Sequence, residues 1–308
     1  MNQDLSPIQR VLLETFKAFD KFCKDNGIQY FAAYGTLIGA IRHKGFIPWD
    51  DDMDVYMLRE EYDKFLSLRE KMQLTKYKVA DYHDDGYPYD FAKFYDTTKT
   101  FWEYPQFPFV IGPFVDIFPL DVYDPDCESI SKLYDDQHYA YWKFRKSISF
   151  YTWREIGHDI ITFNGLEAPI KLVKKIIYSP RKSIYRRTLE KYDRQLRELK
   201  GNYYKAYTDV KSKYYPKMWF SGGIEVPFED TTIIVPAEYD KILTTDYGDY
   251  MTPPPSPARS GHHTAYYMNL EKRLEIDEII RLKSKELQSK QKMSVKVLFD
   301  ELLHRKGF

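Results

Sequence analysis

A chain of 308 residues, of which 43% are apolar and 30% charged, has the composition of an ordinary folded protein and is long enough for one large domain or two modest ones. Lys and Arg together number 46, as do Asp and Glu, so no excess of positive charge indicates nucleic acid as the partner. The two cysteines, Cys23 and Cys127, have no metal-ligand spacing, which argues against a structural zinc site.

The expected location follows from what the sequence lacks. The first residues have neither the basic start nor the apolar stretch of a signal peptide, and no apolar run is long enough to span a bilayer. Two isolated thiols are typical of a reducing compartment. We therefore expect a cytoplasmic protein.

The predicted elements of the first part of the chain alternate between helices and strands. The pattern predicts a helix from Ser6 to about Lys24, a buried strand over residues 28–34 and a short helix from Thr36 to His43, which ends at a left-handed Gly45. Further on, the pattern predicts a helix at 60–74 and strands at 52–57, 77–81, 90–95 and 114–118, the last closed by Pro119. This mixture favours an α+β fold with a mixed sheet.

The chain changes character between about residues 127 and 215, where strand signals vanish. Residues 143–200 carry 15 Lys and Arg against 6 Asp and Glu, and residues 168–187 interleave aliphatic side chains with these cations. This pattern fits a helix that lies on an anionic membrane surface, which would make the protein peripheral at the inner face of the membrane. It also fits a helical insertion whose solvated face is basic.

The last third of the chain combines strand and helix signals. Strand signals return at residues 219–235, around a turn at Gly222-Gly223, and a stiff proline-rich loop follows at 253–257. From Tyr266 the pattern is helical and charged. We therefore predict four parts: a catalytic core at 1–126, a basic helical insertion at 127–215, a return to the core at 216–265 and a helical tail at 266–308.

The stretch GTLIGAIRHKGFIPWDDDMDVY combines three features that suit a ligand with phosphate groups. Gly35 and Thr36 lie where a strand turns into a helix, so a phosphate can approach the backbone there. Asp52 and Asp54 lie two apart on a strand, and two carboxylates on one face commonly hold Mg²⁺. Between these features lie three cationic donors, which are Arg42, His43 and Lys44.

The acidic residues of this stretch and of a later strand indicate a metal site. Four aspartates within five residues repel one another, and a divalent cation would relieve that repulsion. A third carboxylate is expected to complete a two-metal site or to accept the proton of an attacking hydroxyl group. Asp116, in the apolar stretch FVDIFPLD, is the candidate, and Asp121 is the weaker one. Lys93 is expected either to reach a phosphate or to lie at the surface of a strand.

The motifs GTLIGAIRHKGFIPWDDDMDVYM, FVDIFPLD and YGDYMTPPP together resemble the LicD family of phosphotransferases, which are relatives of the fukutin-type enzymes. The resemblance spans roughly residues 20–265. It implies a nucleotidyltransferase fold in which Asp52 and Asp54 bind Mg²⁺ or Mn²⁺ and Asp116 is the third carboxylate. It also implies a substrate contact for His262, because the family carries histidine at that place.

The activity that the resemblance implies is the transfer of phosphocholine from CDP-choline to a cell-surface glycan precursor of the teichoic acid, lipopolysaccharide or capsule type. Related members transfer other phospho-alditols. A choline head group needs an aromatic cage, and the candidate walls are Tyr87, Trp102, Tyr104 and Trp219. Two alternatives stay open: a glycosyltransferase that holds a nucleotide-sugar through its D-x-D motif, and a non-catalytic interaction protein that retains the fold.

Overall fold

The computed structural model of the chain describes residues 5–72, 75–149, 167–206, 213–255, 265–283 and 285. The helices are α1 (Pro7–Asn26), α2 (Tyr34–Ile38, continued by a π-helical turn at Gly39–His43), α3 (Arg59–Ser67), α4 (Arg69–Met72), α5 (Glu128–Ile148), α6 (Glu167–Val173, continued by turns at Lys174–Tyr178 and Ser179–Arg181), α7 (Lys182–Arg197) and α8 (Tyr239–Tyr247). The strands are β1 (Phe31–Ala32), β2 (Asp54–Leu58), β3 (Tyr77–Ala80), β4 (Ala92–Asp96), β5 (Thr100–Trp102), β6 (Phe114–Tyr123), β7 (Tyr203–Ala206), β8 (Tyr214–Pro216), β9 (Gly223–Phe228), β10 (Thr231–Pro236) and β11 (Tyr267–Asn269).

Seven strands form one mixed sheet around β6. The strand order is β1-β2-β6-β4-β3, and β7 pairs with both β6 and β8. β2 runs parallel to β6, whereas β4 and β7 run antiparallel to it, β4 along its first half and β7 along its second. Helices combined with a mixed sheet confirm the predicted α+β class.

α1 packs on this sheet through an aromatic core. Its predicted start is confirmed, because the Ser6 side chain accepts a hydrogen bond from the first turn as an N-cap. The ring of Phe19 lies 5.7 Å from the ring of Phe65 on α3 and 5.7 Å from that of Phe94 on β4. These buried rings hold α1 and α3 against the strands that carry the acidic motifs.

The left-handed residue after α2 is not the glycine that the sequence predicts. Lys44 has φ 57° and ends the helical turn, whereas Gly45 does not have a positive φ. A Cβ at position 45 would instead displace the Glu229 carboxylate, which accepts a hydrogen bond from the Phe46 N–H. The prediction of a left-handed Gly45 is therefore wrong.

β6 continues through Pro119, where the sequence predicts its end. The Asp116 N–H donates to the Met53 carbonyl on the β2 side, so the nitrogen of Pro119, three residues later, faces the opposite edge of the strand. At that edge β4 pairs only as far as Ile117 and β7 begins only at Leu120. A proline fits there because no ladder hydrogen bond is lost.

The prediction of a turn at Gly222-Gly223 is wrong. The hairpin of β9 and β10 turns after Phe228, with Glu229 at φ 50°, and Gly223 lies within β9, not in the turn. The predicted helical insertion and helical tail are confirmed with two additions: β7 joins the main sheet although its residues carry no strand signal, and β11, which pairs with β5, precedes the helical residues 276–283. The division into four parts stays a prediction.

The helices of the basic segment pack against one another beside the sheet. Phe144 and Ile148 of α5 form a buried cluster with Leu189 of α7. Among the helices within the described ranges, none combines the length and the apolar character needed to cross a membrane.

Candidate active site

An open cleft of about 440 Å³ lies where the start of α2 meets the start of β2. One wall comes from the stretch that carries the aspartates, and the other comes from the end of α8 and the loop after it. The described residues that line the cleft are Tyr34, Gly35, Ile38, Arg42, Ile47, Trp49, Asp50, Asp52, Asp54, Tyr247, Asp249, Tyr250, Thr252 and Pro254. The fold thus joins two motifs that are far apart in the sequence.

Gly35 and Thr36 position the acidic stretch. The Asp54 N–H donates to the hydroxyl oxygen of Thr36 at 2.9 Å, and Thr36 is buried. Gly35 approaches the aspartates closely, because a Cβ at this position would lie 2.9 Å from Oδ2 of Asp50. The phosphate contacts expected of both residues stay predictions.

The aspartates form a compact acidic group at the cleft. Asp50, Asp51 and Asp52 each offer a carboxylate oxygen, and these oxygens lie within 4.8 Å of one another. Asp54 begins β2 and lines the same cleft, and Asp50, Asp52 and Asp54 are each only 7% exposed. Several hard oxygen donors in such a group fit Mg²⁺ or Mn²⁺. Sequence reasoning assigned Asp52 and Asp54 but missed Asp50, for which the run of aspartates was the available signal.

The third predicted carboxylate, Asp116, lies beside Asp54 in the sheet. β2 and β6 are in register at Asp54 and Asp116, and β6 and β4 are in register at Asp116 and Lys93. Because register partners point to the same face, the three side chains form a row across three strands. Oδ1 of Asp116 lies 2.7 Å from Nζ of Lys93. Asp116 is not among the described residues that line the cleft, and its metal contact stays a prediction.

Lys93 is fully buried, so the alternative of a surface lysine is wrong. Burial opposes its charge, but the carboxylates of Asp116 and Glu103 outweigh that effect and raise its pKa, and Asp54 adds to the increase. Oε2 of Glu103 lies 3.4 Å from Nζ. The ammonium group therefore stays charged and holds the Asp116 carboxylate beside Asp54. A phosphate contact of Lys93 stays a prediction.

The three predicted cations have different positions. Arg42 lines the cleft, and its Nη1 donates to the Tyr250 carbonyl at 2.5 Å, which connects the two walls. Nδ1 of His43 accepts from Nε of Arg42 at 3.4 Å, and burial together with the Arg42 charge lowers the pKa of His43. Both effects favour the neutral imidazole, whereas the sequence prediction was a cation. Lys44 is exposed, and neither His43 nor Lys44 is among the described lining residues.

The second wall of the cleft belongs to a motif of the family resemblance whose residues sequence reasoning did not assign to the site. It comes from YGDYMTPPP, whose aromatic and acidic residues next to prolines were the available signal. Tyr247 ends α8 and is 45% exposed. The Tyr250 hydroxyl donates to Oδ1 of Asp240 at 2.6 Å, and burial together with this contact raises the pKa of Tyr250 to about 12. On the opposite wall, Trp49 adds a third ring that was not assigned.

The four aromatic residues named as candidate walls of a choline cage are not among the described residues that line this cleft. The Tyr87 hydroxyl donates to a backbone carbonyl at 2.8 Å, and the indole N–H of Trp102 does so at 2.9 Å. Both rings are buried in packing. Tyr104 faces the guanidinium of Arg145, and Trp219 packs beside a core tyrosine. His262 lies outside the residues that the structure describes.

Comparison with known proteins identifies the family. The family model described as "LicD/FKTN/FKRP, nucleotidyltransferase domain" matches residues 27–170. The chain is 30% identical to the lipopolysaccharide cholinephosphotransferase LicD of Haemophilus influenzae over 259 residues, which are 83% of this chain and 94% of that protein. It is also 40% identical to an uncharacterised protein of Rickettsia prowazekii over 69 residues, which are 22% of this chain and 26% of that protein. The match over nearly the whole length of the Haemophilus protein shows that this chain belongs to the LicD family of transferases.

Proposed function

We propose that this protein transfers phosphocholine from CDP-choline to a hydroxyl group of a cell-surface glycan precursor. The observation that carries the proposal is the cleft whose lining combines Asp52, Asp54 and Arg42 with Tyr247 and Tyr250. Such a cleft offers contacts both to a diphosphate and to a cationic head group. The similarity to a lipopolysaccharide cholinephosphotransferase over 94% of that protein supports the same reaction type.

The carboxylates of Asp50, Asp52 and Asp54 would hold a divalent cation. A bound Mg²⁺ or Mn²⁺ would supply positive charge to the donor diphosphate. Arg42 donates from Nη1 to the Tyr250 carbonyl and from Nε to Nδ1 of His43, which holds the guanidinium group at the cleft. A guanidinium cation that lines the cleft suits a phosphate of the donor.

The reaction itself exchanges two bonds at the phosphorus atom that carries choline. The acceptor hydroxyl oxygen forms a new P–O bond, and the bond to CMP breaks, so that CMP leaves with the electron pair. The proton of the hydroxyl group goes to a carboxylate. Asp116, the third carboxylate that the family resemblance implies, is our candidate for this base, and its ion pair with Lys93 fixes its position beside Asp54.

We place the choline head group against the aromatic rings of the cleft. Trp49 lies on one wall and Tyr247 and Tyr250 on the other, and Asp249 adds a carboxylate to the same lining. Aromatic faces attract quaternary ammonium groups, and a nearby carboxylate adds Coulomb attraction. These three rings therefore replace Tyr87, Trp102, Tyr104 and Trp219 as the proposed cage.

The acceptor that we favour is a lipopolysaccharide precursor, because the Haemophilus relative is a lipopolysaccharide cholinephosphotransferase. Teichoic acid and capsule precursors are the other members of the same class. All three present a sugar hydroxyl group to the activated phosphorus. The proposal therefore concerns the hydroxyl of a glycan and does not depend on one sugar.

A donor panel tests the proposal. Purified protein with Mg²⁺ and glycan precursors is given CDP-choline, CDP-glycerol, CDP-ribitol or a UDP-sugar, and release of the nucleotide is measured together with glycan modification. We expect CMP release and choline incorporation with CDP-choline alone, both abolished by a chelator and restored by Mg²⁺. Turnover only with a UDP-sugar would instead support the D-x-D glycosyltransferase.

The aromatic assignment has its own test. Trp49→Ala should raise the KM for CDP-choline about tenfold or more, because a desolvated cation–π contact contributes about 2 kcal/mol. Trp219→Ala is the matched control, since Trp219 is partly buried but does not line the cleft. An equal effect of both substitutions would remove Trp49 from the head-group site.

A further inference from the structure

The helical stretch from α6 into α7 exposes a cluster of large aliphatic side chains. Sixteen large hydrophobic side chains are exposed among the described residues, and five of them lie within residues 170–184. We call these five the apolar stripe: Ile170 (51% exposed), Val173 (44%), Ile176 (55%), Ile177 (46%) and Ile184 (59%). Single exposed aliphatics are ordinary, but a contiguous set marks an interaction surface.

The inward packing of this helical stretch uses residues other than the stripe. On α7, which carries Ile184, Leu189 is 1% exposed and packs with Phe144 and Ile148 of α5, whereas no described side chain between residues 169 and 181 is buried. Tyr185 packs against this cluster. The hydrophobic cluster with α5 therefore uses other residues and leaves the stripe facing outward.

The charged residues within the stripe's own segment have one sign. Residues 168–187 contain seven Lys and Arg and no Asp or Glu, although the whole chain is neutral. Two of these cations, Lys182 and Arg186, contact Asp85 at 2.8 and 3.1 Å. Lys171, Lys174 and Lys175 alternate with the aliphatic residues of the stripe itself. A partner of this surface must therefore accept apolar side chains and carry negative charge.

A groove between α5 and this stretch adds aromatic rings with polar tips. Its volume is about 440 Å³, and its described lining consists of Asp135, His138, Tyr139, Trp142, Lys143, Lys146 and Tyr178. Tyr139 is 62% exposed and Trp142 is 41% exposed. Nζ of Lys143 lies 4.0 Å from the centre of the Tyr139 ring. Exposed Trp and Tyr beside lysines are typical of the zone where a bilayer meets water.

We propose that the apolar stripe and this groove together bind the surface of an anionic phospholipid bilayer. The aliphatic side chains enter the boundary between head groups and acyl chains, while the lysines contact lipid phosphates. A second copy of the chain is a poorer partner, because it would bring a surface of the same positive charge against the stripe. Nucleic acid would match the charge but not the aliphatic side chains.

Vesicle co-sedimentation of the full chain tests this proposal without any substrate, so the result is independent of the donor assays. The vesicles contain either phosphatidylglycerol with phosphatidylcholine or phosphatidylcholine alone. Three variants are compared with the wild type. The first changes Lys171, Lys174 and Lys175 to Glu, the second changes Ile170, Ile177 and Ile184 to Ser, and the control changes the exposed residues Lys21, Lys241 and Lys272 to Glu.

We expect the wild type and the control to bind only the anionic vesicles and to dissociate at high salt. Both stripe variants should bind at least about tenfold more weakly, since each lost contact weakens partitioning several-fold. Their melting temperatures should match that of the wild type, because the changed side chains are not in the buried clusters. Equal binding by all four proteins would overturn the proposal. So would a wild-type dimer in sedimentation velocity that the Ile→Ser variant dissociates, because the stripe would then be an interface between copies.

Discussion

The acidic cleft and the ion-pair network around Arg59 both concentrate aspartates, but the two regions surround them differently. In the network, Nε of Arg59 donates to Oδ1 of Asp121 at 2.7 Å, and Nη2 lies 3.5 Å from Oδ1 of Asp193. Arg197 contacts Asp193 from the other side at 2.6 Å. In the cleft, the carboxylates of Asp50, Asp51 and Asp52 instead gather around one another.

Under the proposed function, this difference separates aspartates that hold the fold from aspartates that would bind a metal ion. A buried carboxylate with a two-pronged arginine partner is compensated within the chain. Carboxylates that crowd together at an open cleft repel one another, and an added cation would relieve that repulsion. Asp121, considered as a weaker catalytic candidate, belongs to the first kind. Asp116, five residues earlier on the same strand, shares a feature with each kind. It forms an ion pair with Lys93, and it also lies beside Asp54 of the cleft.

The largest predicted effect concerns the cleft. Asp52→Asn and Asp54→Asn should each lower the rate of transfer about a thousandfold or more, because each removes a proposed metal contact. Their thermal stability should be equal to or higher than that of the wild type, since each removes repulsion. Asp25→Asn, an exposed aspartate paired with Lys21, is the control and should leave both properties unchanged.

Substitutions in the ion-pair network around Arg59 should lower the stability of the protein, unlike those in the cleft. Asp121→Asn leaves the buried Arg59 charge without its two-pronged partner, so the free energy of unfolding should fall by about 3–5 kcal/mol. Urea denaturation measures this loss. Asp63→Asn, which removes a more exposed partner of Arg197, should cost about 1 kcal/mol or less. Equal losses for the two variants would contradict the view that Asp121 is a structural anchor.

The Asp116→Asn substitution should combine the effects expected for the two regions, a loss of stability and a loss of transfer activity. The substitution removes the 2.7 Å contact to Lys93, but Glu103 still lies 3.4 Å from the ammonium group. We therefore expect a loss of about 1–3 kcal/mol in unfolding free energy, together with reduced transfer. Measuring both in Asp116→Asn and in Asp116→Glu separates the roles. A stability loss with full activity would assign Asp116 to the network alone.

The smallest predicted effect tests the link between α2 and β2. Thr36→Val removes the acceptor of the Asp54 N–H, a buried donor, and should cost about 1–2 kcal/mol. Thr36→Ser keeps the hydroxyl group and is the matched control. If both variants unfold at the same urea concentration, the hydrogen bond does not position Asp54.

Sequence reasoning predicted the fold class and the acidic motif, because both rest on local patterns. The periodicity of α1 and the spacing of Asp52 and Asp54 are visible within a few residues. The motif YGDYMTPPP, with Tyr247 and Tyr250, is visible in the sequence, but its place opposite Arg42 depends on which distant segments fold together, and a local pattern does not carry that information. The sequence also did not indicate that Lys93 is buried, because a lysine is expected to be exposed unless its partners on neighbouring strands are known.

Binding of Mn²⁺ followed by electron paramagnetic resonance tests the central claim most directly, because it needs neither acceptor nor turnover. The wild type should bind Mn²⁺, and CDP-choline should tighten that binding if the cation and the donor share the cleft. Asp54→Asn should bind Mn²⁺ at least about tenfold more weakly, while Asp25→Asn should bind it as the wild type does. Equal Mn²⁺ binding by the wild type and Asp54→Asn would contradict the assignment of the acidic cleft as the metal-dependent transfer site.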